Sequence, residues 1–240
     1  MVALVAYLAG VQAVIRLMLA LAAGAGAGPP AGSGAAAPTG VVSALLIDTA
    51  LALLFALHHS AMARSGVKAW LVSRLPAPIE RSSYVLVSSA LLIAMARCWQ
   101  PLPGELWDTR GTLLESVAWA GFAAGWALSV TAALYLNQLV LFGLRDGIGE
   151  MLGWAPRPAR VACRGPYRWI RHPMYVGFVT AAWSTPHLSS AHALFAASMT
   201  LYALIGARLE ERELVARFGA VYTTYRARTP AVLPRLPRPA

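Results

Sequence analysis

Residues 116–144, SVAWAGFAAGWALSVTAALYLNQLVLFGL, contain no aspartate, glutamate, lysine or arginine. About 20 consecutive apolar residues are enough for a helix to cross the hydrocarbon core of a bilayer. This stretch is therefore predicted to be a transmembrane helix. The same criterion, an apolar stretch without charged residues, locates the other spans of the chain.

The composition of the whole chain agrees with a membrane protein. Of 240 residues, 58% are hydrophobic and 12% are charged, and a soluble domain carries about 25% charged residues. These values exclude a disordered chain and an ordinary soluble enzyme. The two cysteines, Cys98 and Cys163, are too few for a disulfide framework and are predicted to be unrelated structural thiols.

Four more apolar stretches complete the predicted bundle: residues 2–23, 41–57, 82–99 and 173–207. The last is 35 residues long, and at 1.5 Å per residue it is too long for one span. The turn-forming run Pro186–Ser190 predicts two short helices in a hairpin. The fold class is thus all-α, a polytopic transmembrane bundle of about six spans with a C-terminal amphipathic helix.

This bundle is treated as a single membrane domain covering residues 1–240. Residues 1–40 are predicted to hold the first span and an external Gly/Ala/Pro-rich loop, with a signal peptide as the alternative for the first span. Residues 41–144 hold spans two to four. Residues 145–240 hold the helical hairpin, the tail and the site described below.

Orientation follows from the basic residues. Seventeen of the twenty lysines and arginines lie in residues 58–81, 145–172 and the tail after residue 207. Cytoplasmic loops carry the excess of Lys and Arg, so these segments and both termini are predicted to be cytoplasmic. The net charge of +10 then describes a face that meets anionic lipid, and no nucleic-acid partner is expected.

Polar side chains concentrate at this predicted cytoplasmic side in three segments, which are His58–Ser60 with Glu80–Tyr84, Gly165–Gly177, and Glu210–Arg226. Pro173 suits the first turn of a helix, where free backbone N–H groups beside Arg171 could bind a ligand carboxylate or phosphate. Gly177, one turn further, would let a ligand or another helix approach closely. The alternative for this segment is a basic membrane anchor with aromatic residues.

The third segment offers two carboxylates, Glu210 and Glu211, at the point where a helix leaves the membrane. One apolar and aromatic helix face is predicted from residues spaced by four, four and three, namely Leu214, Phe218, Tyr222 and Tyr225. Carboxylates could accept hydrogen bonds from ligand hydroxyls or an ammonium, with the tyrosines as pocket walls. An interfacial helix without a ligand is the alternative.

These segments carry a family resemblance. Arg171-His172-Pro173-Met174-Tyr175-Val176-Gly177, Glu210-Glu211 and Phe218-Gly219-x-x-Tyr222-x-x-Tyr225 resemble the isoprenylcysteine carboxyl methyltransferase superfamily, which includes NnrU-like proteins. The resemblance implies S-adenosyl-L-methionine as the methyl donor and no metal. It also implies the donor-binding residues Arg171, His172, Pro173, Tyr175, Gly177, Glu210, Glu211, Tyr222 and Tyr225.

Other motifs look like the bacterial methanethiol S-methyltransferase family: His59-Ser60-x-Met62, Glu80-Arg81-Ser82-x-Tyr84, Trp99-Gln100-Pro101 and Leu141–Arg145. The implied activity is methyl transfer to a small thiol, with methanethiol giving dimethyl sulfide. The run Asn137–Leu141 departs from the family's usual Asn-His-Phe-Asp-Leu. The acceptor therefore stays open between a thiol, a lipid and an isoprenylcysteine carboxylate, and a non-catalytic NnrU-like protein or a sterol-reductase-type enzyme remains an alternative.

Two polar residues of the spans have a candidate role each. A thiolate is the attacking form of a thiol, and His59, at the cytoplasmic end of the second span, is the candidate base that would generate it. A satisfied core histidine is the alternative. Asp48, inside the same span, is either a functional group or a partner in a hydrogen bond that stabilises the bundle. No oligomeric state is assigned.

Overall fold

The computed structural model describes residues 2–23, 40–74, 77–136, 152 and 161–233. Within these ranges the chain is almost entirely helical, as predicted, with one short pair of strands. In chain order the elements are α1 (Val2–Ala22), α2 (Val41–Ala63), α3 (Ser65–Val72), α4 (Ala77–Cys98), β1 (Glu105–Asp108), α5 (Leu113–Tyr135), α6 (Pro173–Trp183), β2 (His187–Ser189), α7 (Ser190–Phe218) and α8 (Ala220–Arg228). A 3-10 turn, Gly165–Arg168, precedes α6.

Four helices of the described chain are long and apolar enough to cross a membrane, at Leu4–Ala22, Val41–Met62, Leu113–Tyr135 and Ser190–Phe218. The apolar part of α4, Ser82–Cys98, is shorter. Large apolar side chains such as Leu46 and Leu134 point outward, at 66% and 58% exposure. An apolar exterior of this kind suits a lipid bilayer, so the all-α membrane bundle is confirmed. The described residues contain four full-length spans rather than the predicted six.

Helix α1 packs along α4, and α5 packs along α6. Two glycines let α5 and α6 approach closely. A methyl group on Gly177 would lie 2.5 Å from the carbonyl oxygen of Gly125, and one on Gly125 would lie 2.6 Å from that of Gly177. This contact is the close helix approach that the sequence offered as one explanation for Gly177.

Helix α6 is shorter than the predicted first arm of the hairpin. It has 11 residues, about 16 Å of helix, and ends at Trp183. Pro186 cannot continue a helix, and β2 follows directly. Helix α7 then runs unbroken for 29 residues. The predicted hairpin and its short first arm are therefore confirmed, whereas the prediction of a short second arm is wrong, because that arm is a single long helix.

The C-terminal helix also differs from the prediction. Gly219 has a φ of 53° and interrupts the helix between α7 and α8. Only glycine adopts this backbone conformation readily. Leu214 and Phe218 therefore lie on α7, and Tyr222 and Tyr225 lie on α8. All four residues are buried or half-buried, as expected of one apolar face, but the prediction of a single helix through them is wrong, because Gly219 divides them between two helices.

We call the end of the bundle where α2 and α7 end and α4 and α6 begin the basic end. The opposite end is closed by a feature that was not predicted, the pairing of β1 with β2, in which Asp108 lies opposite His187. Trp107 Nε1 donates a hydrogen bond to the carbonyl oxygen of Thr185, at 2.9 Å. The short helix α3 was not predicted either.

Buried polar contacts hold the opposite end together. Trp99 Nε1 donates to the carbonyl oxygen of Ala191 at 3.0 Å, and its ring packs edge-on against Phe195. Asp48 is fully buried, and its Oδ1 accepts the backbone N–H of Gln100 at 2.7 Å. Asp48 therefore ties α2 to the end of α4, which is the bundle-stabilising role expected as one of two alternatives. The Gly/Ala/Pro-rich loop and the run Asn137–Leu141 lie outside the described residues.

Candidate active site

The core of the site is an ion-pair cluster that joins the start of α6 to the last turns of α7. Arg171 Nε donates to Glu211 Oε1 at 2.7 Å, and Nη2 lies 2.6 Å from the same oxygen. His172 Nε2 is 3.0 Å from it as well. All three side chains are largely buried, at 12%, 4% and 17% exposure for Arg171, His172 and Glu211. We call these three residues the buried cluster.

Arg171 also holds the end of α8. Its Nη1 donates to the carbonyl oxygens of Arg226, at 3.1 Å, and Thr229. The backbone N–H groups of Arg171 and His172 donate to the carbonyls of Pro230 and Ala231. The guanidinium is thus committed to protein partners, and its contribution to ligand binding would be to position α8 against α6 and α7.

Glu210 differs from its neighbour Glu211 in being open. Its side chain is 48% exposed, and its nearest ion-pair partner is His172 Nδ1 at 3.8 Å. Tyr175 makes a hydrogen-bonding contact with it. One turn earlier on α7, Gly206 has no side chain, and Tyr175 Oη lies 3.6 Å from the position a methyl group would take there. Glu210 is therefore the carboxylate that faces available space beside the buried cluster.

Two tyrosines of α8, Tyr222 and Tyr225, lie beside the buried cluster. Tyr222 is 2% exposed, its ring packs against that of Tyr225, and Tyr225 Oη donates to the carbonyl oxygen of Tyr167 at 2.6 Å. Burial, with the negative charge of Glu211 second, raises the pKa of Tyr222 to about 12. Burial raises the pKa of Tyr225 as well. Both phenols stay neutral at physiological pH, and the one hydroxyl proton of Tyr225 is already donated to Tyr167.

His59 lies on α2 within an aromatic group. The hydroxyl of Tyr84 is 2.9 Å from His59 Nε2 and 3.1 Å from Nδ1, so it can donate to whichever nitrogen lacks a proton. The imidazole stacks on Phe55, with ring centroids 5.3 Å apart. It also meets Tyr202 of α7 edge-on, at 6.0 Å.

Tyr202 connects the two parts of the site. It makes a hydrogen-bonding contact with Ser60, and it lies near Tyr175. On α7, Tyr202, Gly206 and Glu210 are spaced by four, so they share one helix face. This face leads from His59 to Glu210. Sequence reasoning missed Tyr202, although this spacing next to the two carboxylates was a signal that could have found it.

The remaining predicted residues, Pro173 and Gly177, pack against other parts of the fold. Pro173 is the first residue of α6 and is buried. Gly177 faces α5 rather than α7, as its contact with Gly125 shows.

A cavity of about 330 Å³ borders α8 and shares Tyr225 with the site. Its other lining residues are Cys163, Arg168, Val221, Thr224, Arg228 and Thr229.

Among the described residues, one group of three side chains could converge on a metal ion: Glu105, Asp108 and His187. This group lies at the opposite end from the buried cluster. Arg110 pairs with Asp108 there, which places a positive charge where a cation would bind. The group has no contact with the candidate active site.

Fold and site together define a class of protein: an all-α membrane bundle whose buried Arg-His-Glu cluster anchors an open carboxylate at one end. The NnrU protein family matches residues 47–234, and the chain belongs to this family.

Curated relatives extend over most of the chain. It is 40% identical to "Methanethiol S-methyltransferase" of Pseudomonas deceptionensis over 197 residues, 81% of this chain and 74% of that protein. It is 39% identical to the protein of that name from Mycobacterium tuberculosis, over 83% of this chain and 81% of the relative. Human "Nurim" is 30% identical over 72% of this chain and 69% of its own length. No solved structure matches significantly.

Proposed function

We propose that the protein is an S-adenosylmethionine-dependent thiol S-methyltransferase that converts methanethiol to dimethyl sulfide. The observation that carries the proposal is the single face of α7 that holds Tyr202, in contact with His59, and the open carboxylate Glu210 beside the buried cluster. A donor site and an acceptor site must adjoin for direct methyl transfer. The match to the NnrU family, residues 47–234, covers these same residues.

The residues present fit S-adenosylmethionine. Glu210 can accept hydrogen bonds from its ammonium group or its ribose hydroxyls, and Gly206 leaves space beside that carboxylate. Tyr225 of α8, which borders the adjoining cavity, offers a ring face. When bound, the molecule supplies an electrophilic methyl group on a positively charged sulfur.

The chain's own residues then have separate tasks. His172 and Arg171 hold α6, α7 and α8 in place through Glu211, and Glu210 orients the donor. His59 takes the proton of the thiol S–H bond, which leaves the thiolate that forms the new C–S bond. Phe55 and Tyr202 exclude water from the acceptor side. Held by these residues, the donor would supply the methyl group and would keep the electron pair of its broken C–S bond as a neutral thioether.

The direct test combines binding and product detection. Purified protein should bind S-adenosylmethionine, and cells given methanethiol should release dimethyl sulfide, measured by headspace gas chromatography. Glu210→Gln and His172→Ala should weaken donor binding about 10- to 100-fold, since each removes a charged or buried hydrogen-bond partner. Glu213→Gln, an exposed site on the same helix, is the matched control and should bind as wild type does.

Three outcomes separate the alternatives. Equal donor affinity in wild type, Glu210→Gln and His172→Ala would overturn the donor site. Donor binding without dimethyl sulfide would indicate a lipid or isoprenylcysteine acceptor. Absence of donor binding in the wild type would favour a non-catalytic member of the NnrU family.

A further inference from the structure

Three aromatic rings enclose the imidazole of His59. Phe55 of α2 stacks on it, with ring centroids 5.3 Å apart. Tyr84 of α4 lies at 5.2 Å, with its hydroxyl 2.9 Å from Nε2. Tyr202 of α7 meets the imidazole edge-on at 6.0 Å and contacts Phe55 edge-on at 5.8 Å. Rings at these separations are in contact, so little space is left for an acceptor beside His59.

Tyr202 is the ring of this group that lies on the helix of the donor carboxylate. It precedes Gly206 by one turn of α7 and Glu210 by two, so the three positions share one helix face. Its side chain lies within electrostatic reach of Glu210. Among the described residues, only Tyr175 comes within 4 Å of the position that a methyl group on Gly206 would take. The face is therefore open at Gly206 and bounded at one end by the Tyr202 ring.

The geometry of methyl transfer sets where the alkyl group of the thiol lies. The attacking sulfur, the methyl carbon and the leaving sulfur must be aligned. Because a thiolate sulfur attacks at an angle to its own C–S bond, the alkyl group points sideways from this line. Phe55 and Tyr84 cover His59 on the sides of α2 and α4. A thiol therefore reaches His59 on the side of α7, where its alkyl group meets Tyr202.

We propose that the Tyr202 ring limits the acceptor to the shortest alkyl thiols, an assignment that rests on the proposed function. Methanethiol carries the smallest alkyl group, and each further carbon extends toward the ring. The ring is held in place at both ends, because its hydroxyl contacts Ser60 and its edge contacts Phe55. Tyr202 is thus a specificity-determining residue. A longer thiol that passed it would give an alkyl methyl sulfide by the same bond changes.

A competition assay measures this selectivity directly. Purified protein with saturating S-adenosylmethionine receives equal concentrations of methanethiol and butanethiol. The ratio of dimethyl sulfide to butyl methyl sulfide, measured by headspace gas chromatography, is the ratio of the two kcat/KM values. The wild type should form dimethyl sulfide almost exclusively. Tyr202→Ala should shift the ratio toward butyl methyl sulfide about 10- to 100-fold, because the vacated space admits the longer chain.

Three further variants separate size from structure. Tyr202→Leu keeps an apolar side chain in the span, covers the case in which Tyr202→Ala does not fold, and should give a smaller shift of the same sign. Tyr202→Phe keeps the ring and should keep the wild-type ratio. Leu201→Ala truncates the neighbouring side chain, which is 59% exposed, and should keep that ratio as well. Loss of packing alone would slow both thiols together and leave the ratio unchanged.

The outcomes that overturn the assignment are specific. One is an unchanged product ratio in both Tyr202→Ala and Tyr202→Leu, and another is a wild type that methylates both thiols equally well. A shift in Tyr202→Phe as large as that in Tyr202→Ala would assign the effect to the hydroxyl and would overturn it too. A wild type that binds S-adenosylmethionine but forms neither sulfide would contradict the proposed function itself.

Discussion

Two groups of arginine, histidine and carboxylate side chains lie at opposite ends of this bundle and use similar distances. At the basic end, His172 lies 3.0 Å from Glu211, with exposures of 4% and 17%. At the opposite end, His187 lies 3.0 Å from Glu105, with exposures of 25% and 54%. Arginine joins each group, as Arg171 at one end and Arg110 at the other. The pairings are alike, and the surroundings differ.

That difference decides what each group can do. Exposed ion pairs gain little because water screens them and the side chains lose entropy. A buried pair gives up its hydration, so removing one partner leaves an uncompensated charge. Arg171 moreover binds the carbonyls that end α8, whereas Arg110 bonds within its own loop to Asp108. Distance alone would rank the groups equal, and burial with connectivity makes the cluster at the basic end the stronger candidate for a functional site.

The prediction with the largest expected effect concerns the side of the membrane that each end of the bundle faces. Cys98 at the end of α4 and Cys163 before α6 are free and exposed, one at each end of the bundle. If the basic end is cytoplasmic, a membrane-impermeant maleimide added to intact cells should label Cys98, and Cys163 should react only after permeabilisation. The single variants Cys98→Ser and Cys163→Ser assign the label. Labelling of Cys163 in intact cells would reverse the orientation.

The next prediction compares the two arginines directly. Arg171→Ala should lower the free energy of unfolding by about 3 kcal/mol, because Glu211 and His172 would lose a buried partner. It should also abolish donor binding by releasing α8. Arg110→Ala should leave the melting temperature in detergent and the donor affinity close to wild type. Equal melting temperatures for the two variants would mean that burial does not distinguish the groups.

A pair of glycines separates packing from ligand contact at the basic end. Gly177→Ala would place a methyl group 2.5 Å from a backbone oxygen of α5, and such overpacking should cost about 1–3 kcal/mol. Donor affinity of the folded fraction should not change. Gly206→Ala meets only Tyr175, at 3.6 Å, and should keep wild-type stability. A weaker donor affinity in Gly177→Ala at unchanged stability would return Gly177 to the binding site.

The same region shows what the sequence could and could not predict. The four long spans were predictable because charge is expensive in a bilayer, and the nearness of Arg171 and His172 to the Glu210-Glu211 pair was implied by the family resemblance. The helix break at Gly219 was not predictable, because glycine permits a positive φ without requiring it. Strand pairing between Glu105 and Ser189 joins residues far apart in the chain, for which local pattern holds no signal.

The place of Tyr202 in the candidate site was not predicted from the sequence for a related reason. Its spacing from Glu210 placed both on one helix face, but only the packing of α7 against α2 shows that this face reaches His59. Contacts between helices depend on crossing geometry, which apolar membrane helices encode weakly because every face is hydrophobic. The pairing of Tyr84 with His59 depends in the same way on how α4 meets α2.

The smallest expected effect is a difference in alkaline stability between the two ends. Because the fold raises the pKa of Tyr222 from 10.0 to about 12, it favours the protonated phenol. This contribution is complete below about pH 10 and is lost as the pH rises toward 12. The Arg110 guanidinium holds the pKa of Asp108 below its usual range, and the stability that this pair contributes is lost only on acidification below about pH 4.

Melting temperatures between pH 8 and 11.5 should therefore fall less steeply in Tyr222→Phe than in wild type. Arg110→Ala should keep the wild-type slope, and parallel slopes for wild type and Tyr222→Phe would show that burial of this phenol does not couple its ionisation to folding.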